Sequence, residues 1–431
     1  MIFVSFTHFH FNFFQQTKLI LYAYCFLVTN MLYLLKKFHS VKTHNTDHFN
    51  THKITDDLNT EFPTNITPEK IICDIAEHED NNLQHFYQQT FHNQKKFGID
   101  CCNHLLNGKK AVWAIAPTQS GKTGSMISLA FHASKHNFKT QHIFVFTPHS
   151  SKEWVLQTRD RFPANFKDRI LHRNKLDSLI QAVLDIPKTH NIIIIIDETH
   201  LAAKINQSLH KLYQLLGCYL PDKPKHIHFV HFTATPIHLT QHFSNFWGNL
   251  GVVQHMLVPD SYLSWDMLRQ QNRVFQAKDL CGYDKNNNSI DKHVFANIRE
   301  LTPFLKQPAF HIIRTPRGSL HDIVIQNFKN VFNDTNFVFI SEPSLKQDFS
   351  LLLLHKPKAH TFIFIKDKLR CAKTIHHQFL GILYDRHVMK PLKHVVLQSL
   401  AGRITGYHHN NHVVVFTHTN LLNLNFKSFL S

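Results

Sequence analysis

Cysteine is scarce in this sequence, and the few cysteines show no spacing that would organise a fold. The 431 residues include seven cysteines, an odd number, and no two of them form a Cys-x-x-Cys pair. This excludes a disulfide framework and argues against a cysteine-based zinc site. We therefore expect free thiols and a reducing, intracellular location.

Signatures of serine hydrolases and of metalloproteases are missing as well. The sequence contains no Gly-x-Ser-x-Gly elbow of a serine hydrolase, and its 37 histidines do not show the spacing of a metalloprotease helix. A structural or compositional role for the histidines is therefore favoured over metal binding.

Acidic residues are few in comparison with basic ones. Asp and Glu number 30 against 47 for Lys and Arg, which gives a formal net charge of +17 with neutral histidine. An excess of this size favours a polyanionic partner, and nucleic acid is the one that we expect. General basicity from a biased composition is the alternative.

Long apolar runs are absent apart from one near the N-terminus. Leu19–Leu35 is almost free of polar residues, but its length is at the lower limit for a bilayer span. A membrane segment, a buried helix and translation begun upstream of a real start at Met31 remain alternatives. Residues 1–66 are interpreted as this segment and a polar linker. We expect a cytoplasmic protein, or a nuclear or viral-factory one if the source is viral.

Strand and helix patterns alternate over two stretches of the remaining chain. Residues 67–250 and 301–431 each carry short apolar runs separated by helical segments, whereas 251–300 has less pattern and is interpreted as a connector. Such alternation predicts parallel sheets wound by right-handed crossovers. The expected fold class is α/β, with two such domains and an N-terminal extension.

A phosphate-binding pattern follows the first predicted strand of the 67–250 domain. Ala116 to Thr123 places four residues between a small first position and Gly-Lys-Thr. Backbone N–H groups of the following loop are expected to surround phosphate oxygens. This loop consists of Pro117, Thr118, Gln119, Ser120 and Gly121. Lys122 is expected to reach the β- and γ-phosphates, and the Thr123 hydroxyl to coordinate Mg²⁺.

An acidic pair follows a strand of five consecutive isoleucines, Ile192–Ile196. The Asp197 carboxylate is expected to hold Mg²⁺, and Glu198 to orient and deprotonate the attacking water. The alternative is an acidic pair that caps the next helix, which so regular a buried strand disfavours. Together with the phosphate-binding loop, this pair predicts hydrolysis of a nucleoside triphosphate.

These motifs resemble those of the superfamily 2 helicases and translocases in the DEAD/DEAH-like group, over about residues 85 to 420. The phosphate-binding loop is similar to motif I, Asp197-Glu198-Thr199-His200 to motif II, and Thr233-Ala234-Thr235 to motif III. The resemblance implies two RecA-like P-loop NTPase domains. It also implies that ATP and Mg²⁺ bind in the cleft between them.

Other positions receive a role only through this resemblance. Gln94 lies where many members carry a glutamine that reads adenine. Thr147-Pro148-His149-Ser150 is similar to motif Ia, which contacts the nucleic-acid backbone in the family. Thr233 and Thr235 would couple the nucleotide state to the nucleic acid. Arg370, in the place of motif V, would contact phosphate, although a solvated basic face is an equal alternative.

The segment Gln398–Tyr407 is similar to motif VI. The resemblance implies that Gln398 lies at the nucleotide and that Arg403 reaches across the cleft to the γ-phosphate, where it would neutralise charge in the transition state. The sequence departs from many relatives at Tyr407, where they carry a second arginine.

The sequence therefore predicts an ATP-dependent helicase or translocase that acts on single-stranded DNA or RNA. One alternative is a motor subunit of a restriction or packaging system that does not separate strands. A nucleic-acid-binding module with a degenerate ATPase is another, which the intact Lys122, Thr123, Asp197 and Glu198 disfavour. A third is an ATPase tethered to a membrane through Leu19–Leu35.

Overall fold

The structure, a computed structural model, describes residues 81–150, 152–199, 207–234, 240–284, 289–345, 349–366, 375–389, 400–407 and 412–422. Leu19–Leu35, His200, Thr235, Arg370 and Gln398 lie outside these ranges. Within them, no helix combines the length and the apolar character needed to cross a bilayer.

The first lobe, the described part of residues 81–256, is built around a parallel sheet of six strands. They are β1 (Ala111–Ile115), β2 (Ile143–Thr147), β3 (Ile170–His172), β4 (Ile192–Asp197), β5 (Ile227–Thr233) and β6 (Gly251–His255). Their order is β3-β2-β4-β5-β1-β6, and every pairing is parallel. All residues of the central strand β4 are buried, as expected for a strand covered on both faces.

Helices cover both faces of this sheet. They are α1 (His92–Leu106), α2 (Lys122–Ser134), α3 (Lys152–Arg161), α4 (Leu176–Leu184), α5 (Ser208–Leu215) and α6 (Thr240–Trp247). Because side chains alternate along a strand, Ile193 and Ile195 pack in one apolar layer with Phe97 of α1. Ile194 packs in the other layer, with Leu212 of α5.

The second lobe, the described part of residues 262–422, holds another parallel sheet of six strands. They are β7 (Val274–Gln276), β10 (Phe310–Arg314), β11 (Phe337–Ser341), β12 (His360–Ile365), β13 (Leu380–Tyr384) and β14 (Val414–Thr417), in the order β11-β12-β10-β13-β14-β7. The lobe also contains α7 (Trp265–Gln270), α8 (Lys292–Arg299), α9 (Ser319–Val331) and a small hairpin of β8 (Tyr283–Asp284) and β9 (Ser289–Ile290).

The predicted fold class, two α/β domains with parallel sheets, is confirmed. The segment 251–300 differs from its interpretation as a connector, since it contributes β6 to the first sheet and β7 to the second. Both are edge strands whose residues are at most partly buried. They therefore lack the continuous apolar pattern by which the central strands were predicted. The other domain limits stay predictions.

We expect Gly98→Ala to destabilise the first lobe. A Cβ atom at Gly98 of α1 would lie 2.6 Å from the Ser125 carbonyl oxygen and 2.6 Å from Ser128 Cβ, both on α2. Because the backbone there must shift, the free energy of unfolding should fall by about 1–3 kcal/mol in urea titrations.

The matched control is Lys96→Ala, which changes an exposed residue of the same helix. It should change the free energy of unfolding by less than about 0.5 kcal/mol. Equal stabilities of the two variants would contradict the close packing of α1 on α2.

Candidate active site

The predicted motifs of the first lobe meet at one edge of its sheet. Ala116 follows β1, Thr147 ends β2, Asp197 ends β4 and Thr233 ends β5. These four strands are neighbours and parallel, so their carboxyl ends lie on the same side. Ligands of open α/β sheets bind outside this edge. The sheet order thus brings together residues that are far apart in the chain.

The phosphate-binding loop has the backbone shape that an anion site requires. Gln119 (φ 59°) and Gly121 (φ 93°) are left-handed, and α2 begins directly afterwards at Lys122. The Ala116 N–H donates to the Thr233 carbonyl oxygen at 2.9 Å, which fixes the start of the loop on β5. The free N–H groups of the first turn of α2, together with the helix dipole, favour a negatively charged ligand.

Gln94 lies against this loop, in the first turn of α1. A Cβ atom at Gly121 would be 1.9 Å from Gln94 Nε2, and one at Gly124 would be 2.0 Å from Gln94 Oε1. Both glycines are therefore required for the close approach of the buried amide. A cavity of about 330 Å³ adjoins it, lined among others by Thr123 and Arg161. Its position beside the loop suits the base of a nucleotide whose phosphates lie on the loop.

Asp197 and Glu198 are both buried beside Lys122. The distance from Lys122 Nζ to Glu198 Oε1 is 3.8 Å. Burial is the main cause that raises the pKa of the Asp197 carboxyl, to about 7; repulsion by Glu198 adds to the increase and attraction by Lys122 opposes it. Glu198 itself has a left-handed backbone (φ 57°), which is strained for a residue with a side chain. The structure thus holds two carboxylates together at a cost.

Trp154 is a residue of this site that the sequence analysis missed. Its indole Nε1–H donates to Asp197 Oδ2 at 2.9 Å, while the Glu198 N–H donates to Asp197 Oδ1 at 3.0 Å. Both bonds stabilise the ionised form of Asp197. No local pattern distinguishes Trp154 from other apolar residues of an amphipathic helix. Only the packing of α3 on β4 reveals its partner.

The predicted motif Ia begins at the end of β2. Thr147 and Pro148 are buried, His149 is half-buried and Ser150 is exposed. The His149 N–H donates to Thr147 Oγ1 at 3.4 Å. Ser150 is therefore accessible to solvent, whereas the buried Thr147 side chain stabilises the turn by accepting this hydrogen bond. Their contact with nucleic acid stays a prediction.

Arg403 of the second lobe lies against the phosphate-binding loop. It is 3% exposed and belongs to the 3-10 turn Ala401–Ile404. Its carbonyl oxygen accepts a hydrogen bond of 2.9 Å from Gln119 Nε2. The residue is thus in the cleft between the lobes and not on an outer surface. Its role at the γ-phosphate stays a prediction.

Three hydroxyl groups of the second lobe bind carbonyl oxygens of the same loop. Tyr262 and Thr405 donate to the Thr118 oxygen at 2.6 and 3.2 Å. Tyr407 donates to the Ser120 oxygen at 3.3 Å and accepts from Asn93 Nδ2 at 2.6 Å. Tyr407 therefore joins the two lobes through a neutral group. Tyr262 was not predicted from the sequence.

Comparisons with known proteins agree with this architecture. No family model matches the chain. The uncharacterized protein L594 of Acanthamoeba polyphaga mimivirus is 25% identical over 352 residues, which cover 75% of this chain and 85% of that protein.

Among solved structures, the DEAD-box helicase Mss116 bound to ssRNA and UDP-BeF is similar to this chain, with a TM-score of 0.50 and 13% sequence identity. The match covers 82% of this chain and 76% of the Mss116 chain. Escherichia coli DEAH/RHA helicase HrpB is more distant, with a TM-score of 0.43 at 12% identity over 75% of this chain and 42% of the HrpB chain. The chain therefore has a two-lobed α/β fold similar to that of the Mss116 structure.

We expect Asp197→Asn to stabilise the metal-free protein as the pH rises. The Asp197 carboxyl has a raised pKa of about 7 when folded, against 3.8 as its ordinary value. Between these two values the folded state binds more protons than the unfolded state, so stability decreases with increasing pH. Asparagine removes this loss, and the variant should gain about 1–3 kcal/mol over the wild type at pH 8.

The gain should be small or reversed near pH 4. At that pH the Asp197 carboxyl of the folded wild type is protonated, and is therefore neutral like asparagine. Urea titrations in EDTA at several pH values measure the difference, with the exposed Asp168→Asn as control. A difference that does not vary with pH would contradict the raised pKa.

Proposed function

We propose that this chain is an ATP-dependent helicase or translocase, which couples hydrolysis of Mg-ATP to movement along nucleic acid or to its unwinding. The proposal depends on one observation: Lys122, Asp197 and Glu198 lie together beside the phosphate-binding loop. The same loop is hydrogen-bonded to Arg403 of the second lobe. A pure binding module would gain nothing from two buried carboxylates, whose desolvation opposes folding.

ATP is the proposed nucleotide. Its phosphates would lie on the N–H groups of the loop and of the first turn of α2. Its base would enter the cavity of about 330 Å³ beside Gln94, whose amide can both donate and accept. The structurally similar Mss116 is described with the nucleotide analogue UDP-BeF, which supports a nucleotide at this place.

Mg²⁺ would be held by the Thr123 hydroxyl and the Asp197 carboxylate. These residues fit the ion, because oxygen ligands suit Mg²⁺ and because a divalent cation would offset the repulsion between the buried Asp197 and Glu198 carboxylates. When bound, the ion supplies charge neutralisation for the phosphate oxygens. Trp154 would orient the Asp197 ligand through its 2.9 Å hydrogen bond.

Three side chains would carry the hydrolytic step. Glu198 would orient the attacking water and accept its proton. Lys122, now 3.8 Å from Glu198, would exchange this partner for the β- and γ-phosphates. Arg403 would approach the γ-phosphate from the second lobe and stabilise the charge of the transition state. Hydrolysis then requires both lobes, which ties the chemistry to their relative motion.

Single-stranded nucleic acid is the proposed track. The net charge of +17 favours a polyanion, and Mss116 is described bound to ssRNA. Thr147-Pro148-His149-Ser150, with Ser150 exposed, is the proposed contact of the first lobe with the backbone. Thr233 would pass on the nucleotide state from β5, because its carbonyl oxygen accepts a hydrogen bond from the N–H of Ala116, directly before the phosphate-binding loop. Such binding should weaken with salt.

The proposal predicts that Lys122→Ala lowers the nucleic-acid-stimulated ATPase rate about 10²–10³-fold, through the loss of charge at the phosphates. Glu198→Gln should reduce the rate similarly while nucleotide binding is retained. The control is Lys135→Ala, which removes an exposed lysine at the other end of α2. Unchanged hydrolysis by Lys122→Ala would refute the proposal.

Arg403→Ala is expected to lower kcat for ATP by about 10³-fold, with KM much less affected, because its charge acts mainly on the transition state. Arg403→Lys should recover only part of the rate, since an ammonium lacks the planar fork of guanidinium. Arg299→Ala, an exposed arginine of the same lobe, is the control. A wild-type kcat for Arg403→Ala in a normally folded protein would rule out this residue as the arginine finger.

A further inference from the structure

Another cavity lies entirely within the second lobe. It has a volume of about 590 Å³, and we call it the amino-edge cavity because its walls precede the strands of the second sheet. Asn272 and Arg273 precede β7, Ala309 precedes β10, Phe379 precedes β13 and His412 comes shortly before β14. None of its lining residues belongs to the candidate active site.

The lining of the amino-edge cavity is cationic. Arg273, Lys306 and Lys356 contribute positive charge, and none of the described residues that line it is acidic. The other polar lining groups are amides and His412, which form hydrogen bonds without adding negative charge. A concave wall with charges of one sign concentrates the field and attracts anions.

Arg273 is held in a defined position. Its side chain is buried, with Nε donating to the Val413 carbonyl oxygen at 2.8 Å and Nη1 donating to Gln271 Oε1 at 3.0 Å. The preceding residue, Asn272, has a left-handed backbone (φ 53°). This conformation caps the end of α7, with the Asn272 and Arg273 N–H groups donating to the Arg269 and Leu268 carbonyl oxygens. The charge of Arg273 is thus built into the wall.

Aromatic rings complete the cavity. Phe304 and Phe379 line it and are half-buried. The Phe304 ring is fixed by Phe275 and Phe416, with centroid distances of 4.8 and 5.8 Å. Rings that are held in this way present flat apolar surface on which a nucleobase can stack.

We propose that the amino-edge cavity binds one nucleotide unit, with its phosphate at Arg273, Lys306 and Lys356 and its base against Phe304 or Phe379. The volume is within the range of small-ligand sites. The unit comes either from a free nucleoside monophosphate or from a single strand, and both present the same chemistry. This site does not depend on ATP hydrolysis at the other cavity.

Photocrosslinking of the full-length protein tests the proposal. Two probes are irradiated separately: 4-thiouridine monophosphate and a short single strand that carries one 4-thiouridine. We expect crosslinks in peptides that contain Phe304 or Phe379. Lys306→Gln/Lys356→Gln should lower their yield about tenfold, because two phosphate contacts are lost. The control Lys292→Gln/Lys329→Gln, two exposed lysines of α8 and α9, should keep the wild-type yield.

The two probes distinguish the sources. Crosslinking by the monophosphate identifies a free-nucleotide site, and crosslinking by the strand alone identifies a strand site; either result supports the proposal. Absence of crosslinks in both peptides with both probes overturns it. An equal loss of yield in both double variants overturns it as well, since general charge would then explain binding. ATPase rates of the same variants stay at wild-type values if only this cavity is affected.

Discussion

Two carboxylates share one buried corner of the first lobe, and the surrounding residues are arranged to tolerate them. Asp197 receives hydrogen bonds from Trp154 and from the Glu198 backbone, and Lys122 lies 3.8 Å from the Glu198 carboxylate. Glu198 also adopts a strained left-handed backbone (φ 57°). The central strand β4, buried on both faces and paired on both sides, fixes the place of this pair.

The sequence predicted those parts of the site that depend on local pattern. The phosphate-binding loop and the acidic pair lie at the ends of strands that have clear apolar runs. The sequence pattern alone therefore predicted both motifs and their positions in the fold. Trp154 could not be found in this way, because its partner Asp197 is distant in the chain and joins it only through packing. Tyr262 is a similar case, since it meets Thr118 across the cleft. The edge strand β6 was missed because it is only partly buried.

The contact between the lobes uses backbone carbonyl oxygens of the phosphate loop. Tyr262 and Thr405 bind the Thr118 oxygen, and Tyr407 binds that of Ser120. Two successive parts of one short loop therefore serve the contact between the lobes through their backbone oxygens. Because these hydroxyl groups are neutral, the contact does not require desolvation of a charge.

The antiparallel bridge between Leu263 and Gly406 has a mechanical consequence. Each residue donates its N–H to the other's carbonyl oxygen, at 2.8 and 3.2 Å, so the start of the second lobe is fastened to the segment that follows Arg403. On the other side, the Met256 N–H is bound to the Ile115 carbonyl oxygen of β1. In the described part of the chain, residues 257–261 are then the sole covalent tether between the lobes. Between the anchored residues Met256 and Leu263 the chain spans at most about 25 Å when fully extended, which sets a geometric limit on how far Arg403 can withdraw from the loop.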